Sequence, residues 1–170
     1  MAKGLTSRQY FTQMHTLYYA QAGIMMLFAG VVFTLVYAGQ IAITSDQNFI
    51  QNIMYLTFAI VVAGLAGAFI LYGTLVRKID RTMDLKKKTP KYMVAILVRS
   101  ACLEVSGMMG VIAFALTGRT FLMMVPLILL VAFILYRPTR AVMAQELNLN
   151  EKEIATLNNP TALVSEGNER

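Results

Sequence analysis

Four long apolar blocks limit what this chain can fold into more than any other feature of its sequence. They cover about residues 17–39, 53–76, 92–117 and 121–136, and nearly all charged residues lie outside them. A helix that crosses a bilayer core of about 30 Å needs about 20 consecutive apolar residues. Of the 170 residues, 57% are hydrophobic and only 14% are charged, whereas soluble domains carry about 25% charged residues. The sequence therefore predicts an all-α membrane protein with four transmembrane helices.

Charge along the chain predicts how these helices are arranged. They pair as two tandem hairpins, 17–76 and 92–136, which are joined by a basic loop, 77–91, rich in lysine and arginine. Because positive charge concentrates in loops on the cytoplasmic side, we expect this loop to be cytoplasmic. Two helices per hairpin then place both termini on the same side, so 1–16 forms a cytoplasmic N-terminal segment and 137–170 a cytoplasmic tail.

The tail contains a helix-start signal. Asn150 is followed three residues later by Glu153, the spacing of a capping box in which each residue satisfies the other's backbone N–H. We therefore expect a short amphipathic helix over Glu151 to Leu157. Its apolar residues can pack against the bundle, a partner or the lipid surface.

The two predicted hairpins resemble each other in sequence. A constant offset along the chain sets Arg8 on Lys91, Gln21 on Glu104 and Thr34 on Thr117, and the run AFILY occurs at 68–72 and again at 132–136. These matches favour an internal repeat that arose by duplication, with both halves in the same membrane orientation. Gln21 and Glu104 would then lie at one depth, close enough to hydrogen-bond.

Glu104 is the most costly residue of the predicted bundle, because a carboxylate in lipid costs at least ~2.5 kcal/mol. One interpretation is a structural carboxyl that is hydrogen-bonded to Gln21, Ser100 or Ser106. A second is a proton or cation site, and a third is pairing with a charge on another subunit. Arg99 lies five residues earlier, and we expect its side chain to extend toward the cytoplasmic surface.

Small residues predict where helices approach each other closely. On the second predicted helix, pairs of small residues four positions apart share a face, which permits close backbone contact. With two glycines of the third helix, the predicted packing positions are Ala63, Gly64, Gly67, Ala68, Gly107 and Gly110.

The sequence contains no recognisable catalytic or cofactor motif. Cys102 has no second cysteine to pair with and His15 no second histidine, so neither a disulfide nor a bis-histidine haem is expected. No nucleophile–base pair, phosphate-binding glycine loop or zinc spacing is present. We therefore expect no enzyme activity, cofactor or metal. The basic residues flank apolar blocks, which argues against nucleic acid; Lys86, Lys87 and Lys88 instead suit anionic lipid headgroups.

The chain resembles two kinds of known membrane protein. The duplicated hairpin, with an amide at Gln21 and a carboxylate at Glu104, resembles the rotor proteolipids of V-type ATPases, although their carboxyl lies on the second helix of a hairpin. That resemblance implies ion translocation. The tail, Arg137-Pro-Thr followed by residues 146–157, resembles small four-span inner-membrane proteins of Bacteroidota, which implies the bacterial inner membrane.

The sequence thus favours a non-catalytic membrane subunit or a self-associating scaffold, with other membrane subunits or copies of itself as partners. The alternative is a proton- or cation-conducting subunit, or a small transporter, that uses Glu104. A lipid-binding or regulatory protein that acts through the basic loop is a third possibility.

Overall fold

The computed structural model describes residues 4–165, and within this range the chain is almost entirely helical. Three long helices, α1 (Ser7–Tyr37), α2 (Gln47–Arg77) and α3 (Leu85–Thr117), come first. A 3-10 turn (Thr120–Met123) then leads into α4 (Met124–Leu135), and the tail forms α5 (Arg140–Glu146) and α6 (Glu151–Asn158).

The length and composition of these helices agree with a membrane protein. α1, α2 and α3 are each long and apolar enough to cross a bilayer. A fourth crossing is obtained only if Thr120–Leu135 and Arg140–Glu146, which are bent by 77° to each other, count as one span. The predicted class, an all-α protein with several apolar helices of spanning length, is therefore confirmed at three or four such helices.

All three long helices extend beyond the apolar blocks of the sequence. α1 begins at Ser7 because Thr6 and Gln9 form a capping box: the Gln9 N–H donates to Thr6 Oγ1 and the Thr6 N–H to Gln9 Oε1. α2 begins at Gln47 because Asp46 Oδ1 accepts from two backbone N–H groups of its first turn. A 31-residue helix is about 46 Å long, so hydropathy identifies only its middle part.

The predicted basic loop is much shorter than expected. α2 ends at Arg77 and α3 begins at Leu85, so the cations from Lys86 to Lys91 lie on the first turns of a helix and not in a loop. Pro90 lies inside this helix and has no N–H to donate to the carbonyl of Lys86. The helix therefore continues past Pro90 with one intrahelical hydrogen bond fewer.

The described residues divide into two compact units. The first unit comprises 4–19, 70–98 and 137–165, and the second comprises 20–69 and 99–136. Each of the three long helices contributes residues to both units.

In the first unit, the tail packs against the ends of the long helices. The Ser7 N–H donates to the Ala162 carbonyl over 2.8 Å, the Thr89 hydroxyl to the Val164 carbonyl over 2.6 Å, and the Tyr10 hydroxyl to the Thr89 carbonyl over 2.7 Å. The buried side chains include Tyr10, Tyr92, Met143, Leu147, Leu157 and Val164. The sequence left open whether the tail packs against the bundle, a partner or the lipid surface. In the first unit, the tail contacts the chain's own helices.

In the second unit, α1 and α3 enclose a core of small and apolar residues. That core consists of Ala29, Val32, Val111, Ala113, Phe114 and Leu122. At one end of it, the Thr44 N–H donates to the Leu116 carbonyl over 3.1 Å. Gly118 ends α3 with a φ of +65°, a left-handed conformation that glycine adopts without strain.

Three of the predicted packing glycines lie in close contacts of the second unit. A Cβ on Gly64 would collide with the Ser106 hydroxyl, one on Gly107 with Met25 Sδ, and one on Gly110 with the Val125 side chain. Ala68 is fully buried. Ala63 is exposed, and a Cβ on Gly67 would have no neighbour within 4 Å. One small-residue face of α2 therefore packs inside the chain, and the other does not.

Candidate functional site

The second unit contains a hydrogen-bonded polar cluster, Gln21, Ser100 and Glu104, in the apolar part of the chain. Ser100 and Glu104 are four residues apart, so they share a face of α3. The Ser100 hydroxyl donates to Gln21 Oε1, and the Gln21 amide is hydrogen-bonded to the Glu104 carboxyl. Gln21 can form hydrogen bonds with both Ser100 and Glu104, because its amide group has an acceptor oxygen and a donor nitrogen. The structure thus joins three of the residues that the sequence singled out.

Ser106, the other predicted partner of Glu104, is not part of this cluster. Its hydroxyl donates to the Cys102 carbonyl over 2.9 Å, one turn back along α3, and its side chain packs against Gly64. A serine that bonds to the carbonyl four residues earlier satisfies its own hydroxyl. Its role is therefore helix packing.

Arg99 contacts the end of α4, whereas the sequence predicted that it extends to the surface. It is only 5% exposed, and Nη2 donates to the Tyr136 carbonyl over 2.5 Å. Its guanidinium also lies 5.8 Å from the centre of the Tyr136 ring. The last carbonyls of a helix lack intrahelical partners and attract cations. The Arg99 side chain therefore turns to the end of α4 and not to the surface.

The first unit contains a second polar cluster, Tyr72, Tyr92 and Glu146, which the sequence did not indicate. The Tyr92 hydroxyl donates to Glu146 Oε2 over 2.8 Å, and the Tyr72 hydroxyl donates to the same oxygen. The two phenol oxygens are 3.4 Å apart. One carboxylate on α5 thus connects the tail to α2 and α3. These residues are far apart in sequence, so no local sequence pattern predicts that they are in contact.

Lys88 is not placed to contact lipid headgroups, although the sequence predicted that contact for it together with Lys86 and Lys87. Its side chain is 2% exposed, and Nζ lies 2.7 Å from Glu153 Oε1. The other oxygen of Glu153 accepts from the Asn150 N–H over 3.0 Å, which completes the predicted capping box of α6. Burial of the ammonium against this carboxylate makes Lys88 a structural residue. Lys87 remains exposed and Lys86 half-buried.

These clusters can exchange protons or position helices, but their donors do not assemble a metal site. Among residues 4–165, no group of three or more histidine, cysteine, aspartate or glutamate side chains is placed to hold a metal ion. No family model, curated protein or solved structure matches this chain. Its function is therefore inferred from its own residues.

Proposed function

We propose that this protein is a non-catalytic integral membrane component, either a subunit of a larger complex or a self-associating scaffold, in a bacterial inner membrane. One observation carries the proposal: α2 has a small-residue face that no described part of the chain covers. The opposite possibility, that small residues serve only internal packing, accounts for Gly64 and Ala68 but not for Ala63 and Gly67.

The environment of α2 supports this proposal. Only 11% of the most apolar stretch of α2 is buried inside the chain. This is the smallest buried share among the three long helices. Lipid can cover such a surface, but a face with exposed Ala63 and open Gly67 also permits close approach of a second helix backbone. Association in a membrane depends on this close packing, because apolar surface alone gives no preference for protein over lipid.

Helix length supports a further part of the proposal, four spans with both termini on one side. The 3-10 turn and α4 together are about 26 Å long, close to the bilayer core of about 30 Å. The cations from Arg77 to Lys91 favour the cytoplasm for the side with the termini.

Substitution of Gly67 tests the proposal. We expect Gly67→Leu to leave the fold intact, because no atom lies within 4 Å of the added Cβ, but to block the close approach of a neighbouring helix. Gly73→Leu is the matched control, because Gly73 lies on the same helix, is equally open and faces another direction. Light scattering in mild detergent should report a smaller particle for Gly67→Leu only. Equal masses for all three proteins would contradict the proposal.

A second candidate function is proton or cation conduction, which the Ser100–Gln21–Glu104 chain supports. A hydroxyl, an amide and a carboxyl in series provide donors and acceptors within an apolar span, where ionisable groups mark ion pathways. Glu104→Gln preserves the shape of the side chain and a carbonyl acceptor for Gln21, so assembly should persist. If the native protein conducts, the Glu104→Gln variant in liposomes should show no more ion flux than empty vesicles do. Unchanged flux would eliminate Glu104 as the conducting group, and absence of flux in the native protein would eliminate this function.

A further inference from the structure

The first unit contains an open, polar cavity of about 500 Å3 beside the start of α3. Its wall is formed by the loop before α3, the first turns of α3 and α6, and Leu163. Four of its lining residues are ionisable: Asp84, Lys86, Lys152 and Glu153. The volume lies within the range of about 300–1,000 Å3 that is typical of ligand pockets.

The charges of this cavity are only partly balanced within the chain. Glu153 is committed to the buried ammonium of Lys88, at 2.7 Å. Within residues 4–165, Lys86, Lys152 and Asp84 line the cavity, and none of the three forms an ion pair with a residue of this chain. Two ammonium groups and one carboxylate therefore remain for a ligand that carries both an anionic and a cationic group.

The place of the cavity along α3 suggests the source of such a ligand. The residues from Lys86 to Lys91 include four lysines, and the apolar block begins only at Tyr92. Lysine side chains at the end of a span lie at the level of the lipid headgroups. This step rests on the proposed membrane location of the protein.

We propose that this cavity binds a phospholipid headgroup that bears a phosphate and an amine, the chemistry of phosphoethanolamine. Lys86 and Lys152 bind the phosphate, and Asp84 binds the ammonium of the same headgroup. Ammonium groups are established binders of phosphate as point charges. The carboxylate makes the site selective, because a headgroup that ends in hydroxyls lacks the charge that Asp84 requires.

Lipid binding to the delipidated full chain tests the proposal. We would add phosphatidylethanolamine in detergent and measure bound lipid by native mass spectrometry. The variant Lys86→Gln/Lys152→Gln should bind about thirtyfold more weakly, which corresponds to about 1 kcal/mol for each lysine near a lipid surface. The matched control is Lys78→Gln/Lys87→Gln, which removes the same charge from neighbouring lysines that do not line the cavity. Equal losses in both variants would overturn the proposal, because they would indicate diffuse attraction.

Two further arms define the ligand. Asp84→Asn, which removes the charge and keeps the size of the side chain, should abolish a preference for phosphatidylethanolamine over phosphatidylglycerol; a wild type without that preference would refute the role of Asp84. Glycerophosphoethanolamine tests a soluble source: if it displaces the lipid at equal concentration, the phosphate–amine site stands and its ligand is soluble. If neither lipid nor soluble compound binds, the proposal fails, whatever the mass of the Gly67→Leu particle.

Discussion

Single residues in this protein serve purposes that their neighbours in sequence do not reveal. Lys86, Lys87 and Lys88 form one basic run, yet Lys88 is buried and paired with Glu153, while Lys87 is exposed. Charge counting cannot separate them, because the difference arises when α6 docks beside α3. Glu104 is the contrary case. Its bond with Gln21 was predictable, since a carboxyl in an apolar helix requires a polar partner and the predicted repeat placed an amide at the same depth.

The Lys88–Glu153 pair gives a prediction about a single contact. Removal of one partner leaves the other charge buried and alone, which costs about 3–5 kcal/mol. We therefore expect Lys88→Met to lower the thermal unfolding midpoint clearly, and Lys88→Met/Glu153→Gln to recover much of the loss, because it removes the unpaired charge and keeps an acceptor for the Asn150 N–H. Lys87→Met, at an exposed position, is the control. A Lys88→Met protein as stable as the control would show that the pair is unimportant.

Among the helices and turns, hydropathy located the apolar middles but not the polar ends. The capping box of α6 was found from Asn150 and Glu153 and is present. The same signal at Thr6 and Gln9 starts α1, and Thr139 caps α5 by accepting from Val142; neither was predicted. Both are visible in the sequence once caps are sought in polar segments. The cluster around Glu146 is not visible in the sequence, because it depends on where the tail packs.

The cap of α6 gives a prediction about a whole helix. Asn150→Ala removes the acceptor for the Glu153 N–H, which lies 2.9 Å from it, and such a loss costs about 1 kcal/mol. Hydrogen exchange of α6 should therefore quicken by about fivefold, while exchange in the middle of α1 stays unchanged. Thr156→Ala, a substitution later in the same helix, controls for a general effect of alanine. Unchanged exchange in α6 would show that the Asn150 cap does not hold this helix.

Over the chain as a whole, the class of fold was accessible from composition, but the division into units was not. Apolar blocks predicted helices and their order. The first unit, however, assembles the start of α1, the end of α2, the start of α3 and the tail, which the predicted boundaries at 16, 76, 91 and 136 had divided among separate segments. Contacts such as Thr89 with Val164 join residues far apart in sequence, so no hydropathy profile contains them.

The proposed function requires that this chain work in association with other membrane proteins or with copies of itself. We would therefore first measure the mass of the particle that carries it after extraction from its native membrane in a gentle detergent. We expect a defined complex with stoichiometric partners or a defined number of copies. Its mass should fall when Gly67→Leu replaces the native chain and stay constant with Gly73→Leu. A single chain of 18.9 kDa with lipid and detergent only would contradict the proposed association.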